Sequence, residues 1–102
     1  MKLSLLAPYV KLPSDIKNAR GLSEFLINEA INKKYPQGMP RTESRLYSKV
    51  LDQFYAEKDE IEVDDPTFLL IKEALDGSQL PATFSSWKWS LLEHLEKSAI
   101  KE

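Results

Sequence analysis

Apolar residues recur along this chain at two different spacings, and the changes of spacing divide it into elements. Leu22, Phe25, Leu26, Ala30 and Ile31 follow the three-then-four step of a helix with one buried face. Ser23 is a good cap for its start, and Leu22 with Ile27 suits the apolar pair that brackets such a cap. Pro36 ends the helix, because the residue before a proline, here Tyr35, is driven out of helical backbone. Residues 36–41 then form a connector. A second helix is predicted over about residues 43–58 with Thr42 as its cap, since Leu46, Tyr47, Val50, Leu51 and Phe54 share one apolar arc.

The period then drops to two. Glu60-Ile61-Glu62-Val63-Asp64 alternates acidic and β-branched residues, the pattern of a short strand with one face buried. The only other strand-like segment is residues 3–12, where Pro8 lacks a ladder donor and confines any strand to an edge. A two-stranded pairing of this N-terminal segment with residues 60–63 is therefore predicted. Residues 13–21 read as a loop with a short turn capped by Ser14. Asp65-Pro66 predicts a helix start, an N-cap acid followed by proline at the first helical position. Phe68, Leu69, Ile71, Ala74 and Leu75 fill that helix, and Gly77 stands where a left-handed C-cap belongs. A last helix opens near Pro81, Ala82 or Thr83. Its apolar arc is Phe84, Trp87, Leu91, Leu92, Leu95 and Ala99, with Lys97 and Lys101 toward the end that favours cations. The expected fold is mainly α, α+β at the margin: one four-helix domain over residues 1–102 with a short two-stranded pairing.

Composition narrows the class of protein. A chain of 102 residues fits one domain. The absence of cysteine excludes a disulfide framework, a thiolate zinc site and a cysteine nucleophile. The longest apolar run, Phe68 to Ile71, is far too short to span a bilayer, so no membrane association is expected. Met1 to Leu6 begins like a signal peptide, but Pro8, Tyr9 and Lys11 interrupt it, and a cytoplasmic location is expected. The net charge of −2 conceals an asymmetry: residues 1–50 carry +5 and residues 51–102 carry −7. A dipolar surface, or two halves that attract each other, follows from that division.

Candidate chemistry is sparse. His94, the only histidine, falls near Trp87 and Leu91 at the edge of an apolar face, and Ser90 lies one turn before it. The two share a helix with no oxyanion donor in view, so His94 reads as structural and no enzyme is expected. The acidic stretch Glu57, Asp59, Glu60, Glu62, Asp64, Asp65 lacks the glycine and the ligand spacing of a calcium loop. It reads as a solvated face or a docking surface for a basic partner, and no metal site is expected. Gly21, Gly38 and Gly77 are isolated, which removes a phosphate-binding loop; no cofactor is expected. Lys33, Lys34, Arg41 and Arg45 surround the first connector, with Tyr35 among them, and are the candidate nucleic-acid contacts. Taking Trp87 as the origin, Trp89 falls about 200° around the last helix, beyond its apolar arc. It is either a binding anchor or a ring covered by the N-terminal segment. Tyr55, at the edge of the second helix's arc, is a milder case.

The order of patterns resembles that of small tailed-phage accessory proteins. They have a lysine-bearing strand-like start, then a Leu-x-x-x-Leu helix, here Leu22 to Leu26. Next come a Leu-Tyr-x-Lys-Val helix, here Leu46 to Val50, and a Glu-Ile-Glu-Val strand, here Glu60 to Val63. An acid-capped helix and a terminal Leu-Leu-Glu-x-Leu-Glu, here Leu91 to Glu96, complete the pattern. The resemblance spans most of the chain, rests on pattern and carries over no site residue; Pro8 and Trp87-Lys88-Trp89 depart from it. It implies a phage or prophage setting, hence the host cytoplasm, and a protein-binding or assembly role. The leading expectation is a small non-enzymatic adaptor or accessory protein that docks on another protein through Trp89 and Tyr55, flanked by Glu57, Asp59, Glu60 and Glu62. The alternatives are a nucleic-acid-binding module using Lys33, Lys34, Arg41 and Arg45, and a self-assembling structural subunit, a homo-oligomer.

Overall fold

Leu3 and Ile61 face each other across a strand pair and neither is exposed to solvent. In the computed structural model, which describes the backbone of residues 1–100 and the side chains of residues 1–98, β1 (Lys2–Ser4) pairs antiparallel with β2 (Glu60–Glu62). The expected positions of Ala99 on the apolar arc and of Lys101 lie outside the described residues. The ladder continues past both strands: Leu5 N–H donates to the Asp59 carbonyl at 2.8 Å and Val63 N–H to the Met1 carbonyl at 2.9 Å. The period-two reading of Ile61 and Val63 as inward and Glu60 and Glu62 as outward holds. The N-terminal strand is shorter than the expected segment, because the chain leaves the ladder after Leu5 and leaves Leu6 and Val10 exposed. The outer edge of β2 is closed by the amide of Gln53. Its Nε2 donates to the Glu62 carbonyl at 2.9 Å and its Oε1 accepts from Glu62 N–H at 2.7 Å, as a third strand would.

Helix α1 spans Ala19–Lys34. Its cap is Asn18, whose side-chain oxygen accepts from Gly21 N–H at 2.7 Å, and not Ser23 as the sequence pattern predicts. Ser23 lies one turn inside the helix and is completely buried. Its hydroxyl donates to the Leu5 carbonyl at 2.6 Å and pairs with the Tyr9 hydroxyl at 2.6 Å. A residue with a capping side chain became a tertiary tie because Asn18 already satisfies the first free N–H groups. Burial pushes the Tyr9 hydroxyl up to about 12, against a smaller downward pull from the bond to Ser23. Tyr35 ends α1 as expected, its own N–H returning to the Ile31 carbonyl at 3.0 Å. Gly38 turns the connector with φ +102°, a conformation that glycine adopts without steric cost.

Helix α2 spans Arg41–Tyr55, starting at Pro40 with no side-chain cap rather than at Thr42 and ending about three residues before the predicted end. The early stop has a specific cause. Glu57 adopts φ +58°, its N–H donates to the Phe54 carbonyl at 2.9 Å, and Lys58 N–H reaches the Gln53 carbonyl at 3.4 Å. This is a Schellman pattern with glutamate where glycine normally stands. Arg20 holds the turn from outside, its guanidinium donating to the Glu57 carbonyl at 2.8 Å and lying 3.7 Å from the Asp59 carboxylate.

Helix α3 spans Asp65–Gly77. Asp64 caps it, not Asp65, through a carboxylate that accepts from Thr67 N–H at 2.9 Å. Asp65 instead sits in the first turn, where the helix dipole favours an acid. Leu70 and Ile71 are buried while Leu69 is exposed, a reversal of the expected assignment of Leu69 to the core. Gly77 remains helical and Ser78 turns the chain out with φ −77°, so the expected left-handed cap is absent. Side chains take the terminal carbonyls instead: the Ser78 hydroxyl donates to Leu75 at 3.1 Å, and Lys88 Nζ to Ser78 at 2.9 Å. A 3-10 turn at Ala82–Phe84 leads into α4, Ser85–Ile100. α3 packs against α1, α2 and α4, while α4 also lies along β1 and α2 along β2. One contiguous apolar cluster joins all the elements, including Leu22, Leu26, Val50, Ile71, Leu91 and Leu95.

Replacing Glu57 with glycine is expected to raise stability by about 0.5–1 kcal/mol, because it removes the left-handed strain without touching the Arg20 bond to the backbone. Urea denaturation of Glu57→Gly beside wild type reads this directly; an unchanged or lower midpoint shows that the turn carries no such strain.

Candidate functional site

The two tryptophans of α4 are one residue apart and have opposite surroundings. Trp87 is half-buried: its indole N–H donates to the Lys11 carbonyl, and its ring lies 5.4 Å from that of Phe84, itself 5.5 Å from Phe25. The N-terminal segment thus reaches Trp87 at Lys11, and residues 11–15 form the facing wall of a groove of about 440 Å³ that Trp87 and Phe84 also line. Trp89 is 64% exposed, so the N-terminal segment does not cover it. It borders a shallow groove with Ser85, Lys88 and Leu92.

Lys88 links this groove to a larger feature. Its bond to the Ser78 carbonyl places it against the C-terminal end of α3. Ser78 is also a wall of a cleft of about 600 Å³ where α1 and α3 end side by side, with Lys33, Lys34, Glu73 and Gln79 on its rim. Lys34 lies 3.6 Å from the Glu73 carboxylate and over the Tyr35 ring, 5.7 Å from its centre. Lys33 makes no ion pair among the described residues. The cations offset the partial negative charge of the two helix ends. Of the expected nucleic-acid set, Lys33 and Lys34 belong to this cleft, while Arg41 and Arg45 are exposed on the first turns of α2.

The acidic residues occupy the other end of α1. Arg20, at its start, clasps Glu57 and Asp59, and 3.9 Å on its other side stands Glu24. Partial burial raises the Glu24 carboxyl above its usual value, with Arg20 pulling it down and Glu57 pushing it further up. Tyr55, 78% exposed, ends α2 beside this corner, and Glu60 and Glu62 continue along β2 toward solvent. The expected partner-binding residues therefore divide into two groups. Tyr55, Glu57, Asp59, Glu60 and Glu62 gather at the α2–β2 corner, whereas Trp89 lines its own groove on α4, beside the Lys88 that reaches the Ser78 wall of the cleft. No hydrogen bond, ion pair or ring contact among the described residues joins Trp89 to the acidic group. Sequence reasoning missed Ser78, Glu73 and Lys88 as parts of a site; nothing in their spacing marks them, because it is packing that brings the end of α3 beside the end of α1 and the start of α4.

No protein-family model, curated protein or solved structure matches this chain at a significant level. Among the described residues, no helix is long and apolar enough to cross a membrane.

At the end of the acidic strand, Asp64 has its carboxyl held below the ordinary 3.8, first by the Thr67 hydroxyl, then by Thr67 N–H, with Lys49 adding a smaller pull. A depressed value means that the stability contributed by the charged cap is complete above the ordinary pKa and is lost as pH falls through the lower one. Asp64→Asn keeps a capping oxygen but cannot titrate. Its urea midpoint should lie below that of wild type at neutral pH and converge with it as the pH falls below about 4. Parallel curves down to about pH 2 would show that the cap carries no linked proton.

Proposed function

We propose that this chain is a non-catalytic interaction domain that docks on another protein, with Trp89 as the anchor of the docking surface. The exposure of Trp89 supports the reading. Its neighbour Trp87 has a ring partner and a backbone acceptor, while Trp89 is left with a shallow groove and solvent. A large ring facing water loses burial energy that a bound surface restores, and tryptophan is enriched among the residues that dominate interfaces. The displaced proton affinities of Tyr9, Glu24, Tyr47 and Asp64 have structural causes: burial of the two tyrosines, partial burial of Glu24 beside Arg20, and the helix-cap bond of Asp64. The accessory or assembly role, its phage setting and its place in the host cytoplasm rest on the pattern resemblance alone.

A second reading, nucleic-acid binding, draws on Lys33 and Lys34 at the end of α1 and Arg41 and Arg45 at the start of α2, either side of one connector, with the Lys34 ammonium over the Tyr35 ring. It requires binding of a labelled oligonucleotide that weakens steeply as salt rises. A labelled duplex and a labelled single strand, both unshifted at low salt, remove it.

For the leading reading, Trp89→Ala should change the free energy of unfolding by no more than about 0.5 kcal/mol, as exposed positions do. The same substitution should abolish capture of the partner in affinity pull-downs with the full chain as bait. A loss of several kcal/mol would place Trp89 in the core, and identical captures by both baits would remove it from the docking surface.

A further inference from the structure

The lysine-lined cleft and the acidic corner are complementary in charge, each has an exposed aromatic beside it, and they lie at opposite ends of one helix. Arg20, at the first turn of α1, is bound to Glu57 and Asp59. Lys33 and Lys34 are the last two residues of the same helix. Within the 16 residues of α1, the rise of 1.5 Å per residue sets Arg20 and the two lysines roughly 20 Å apart. One end presents Lys33 and Lys34 beside Glu73, with Asp76 exposed in the last turn of α3 and Lys88 reaching in from α4 to the Ser78 carbonyl next to Trp89. The other presents Glu57, Asp59 and Glu60, all exposed, with Tyr55 at the end of α2. Arg20 offsets part of that charge and Lys58 stands in the same turn, so the acidic side keeps the larger sum.

We propose that the partner seated on Trp89 is a second copy of this chain, whose α2–β2 corner docks head to tail, Tyr55 against Trp89 and its carboxylates over Lys33 and Lys34. This inference rests on the reading of Trp89 as a docking anchor and names the occupant. The two surfaces differ and lie at opposite ends of one helix, so each copy keeps one surface free after pairing and the pair retains one of each kind. Association of that kind is heterologous: it closes into a ring where the rotation between copies allows and otherwise continues as an open filament. The contact joins an aromatic pair to exposed charges, so it strengthens as salt is lowered. No segment of the chain has to refold for it, because both surfaces are preformed.

The test is sedimentation velocity on the full-length protein at low salt over a wide concentration range, with two charge-reversed variants. Wild type should show a mass that grows with concentration and falls with salt. Lys33→Glu/Lys34→Glu and Glu57→Lys/Glu60→Lys should each sediment as one chain where wild type associates, weakened by about a hundredfold, since like charges are forced together. Mixed in equal amounts, the two variants should associate again, because each supplies a surface the other's altered surface accepts. Recovery on mixing also demonstrates that both variants are folded. Trp89→Ala and Tyr55→Ala should weaken wild-type association in the same assay. Wild type at the mass of one chain under all conditions overturns the proposal, as does association indifferent to the charge reversals, or a mixture that stays apart. Where self-association is absent and Trp89→Ala still loses a different captured protein, the docking reading stands and only the second copy is excluded. Where Trp89→Ala changes neither, both fall.

Discussion

The antiparallel contact between the N-terminus and residues 60–62 is the constraint on which the rest of the structure depends. It joins points almost sixty residues apart in sequence, and the entropy of closing so long a loop is repaid only because Leu3, Leu5, Ile61 and Val63 are buried together. An isolated two-stranded ribbon is marginal in water. Here its inner face rests on the helices, its outer edge is closed by Gln53, and the chain leaving it is fixed to α1 by Ser23. The Ser23 hydroxyl accounts for two polar groups at once, the Leu5 carbonyl and the Tyr9 hydroxyl, in a place without solvent. Losing it would leave both to be desolvated without a partner.

Around that contact, α3 serves as the inner element and α1 as the longitudinal one. Leu70, Ile71, Ala74 and Leu75 bury a wide face of α3 against three other helices, which is why it is the most apolar of the helices and the least informative about function. α1 joins its core side to two charged ends. Its start holds the strained turn at Glu57 through Arg20, and its finish delivers Lys33 and Lys34 to the cleft. The asymmetry of charge along the sequence thus becomes a separation in space. The halves of the chain do interleave, as Lys34 with Glu73 and Arg20 with Asp59 show, while Glu57, Asp59 and Glu60 stay exposed at one end of α1 and Lys33 and Lys34 at the other.

Local signals were legible where the physics is local. The apolar steps of Leu22 to Ile31 and Leu46 to Phe54, the alternation at residues 60–63 and the proline at 36 gave the helices, the strand and one boundary. They work because side-chain burial on a helix or strand has a fixed period, and because proline restricts its neighbour whatever surrounds it. The pairing of the two strand-like segments was also readable, by elimination, since an apolar strand face needs a partner and only one was on offer. The mainly helical, four-helix reading with a minor strand pair stands.

Tertiary structure decided what depends on competition between equivalent groups. Asn18 and Ser23 are both good caps, as are Asp64 and Asp65, and the choice fell to the residue whose partner lay in the right turn once the core had packed. Gly77 was free to take a left-handed turn, but a lysine from α4 satisfied that helix end instead, whereas Glu57 accepted the strained turn because Arg20 holds its carbonyl. The candidate surface shows the same division. Exposure of Trp89 was one of two outcomes its place on the helix permitted. The reach of its neighbour Lys88 to Ser78, a wall of the cleft that also holds Lys33 and Lys34, arises from where three helix ends meet. The sequence by itself determined which residues were apolar, charged or turn-forming, because those are properties of single side chains and their spacing. Only the folded chain decided which of them became neighbours, because neighbourhood across elements is set by packing.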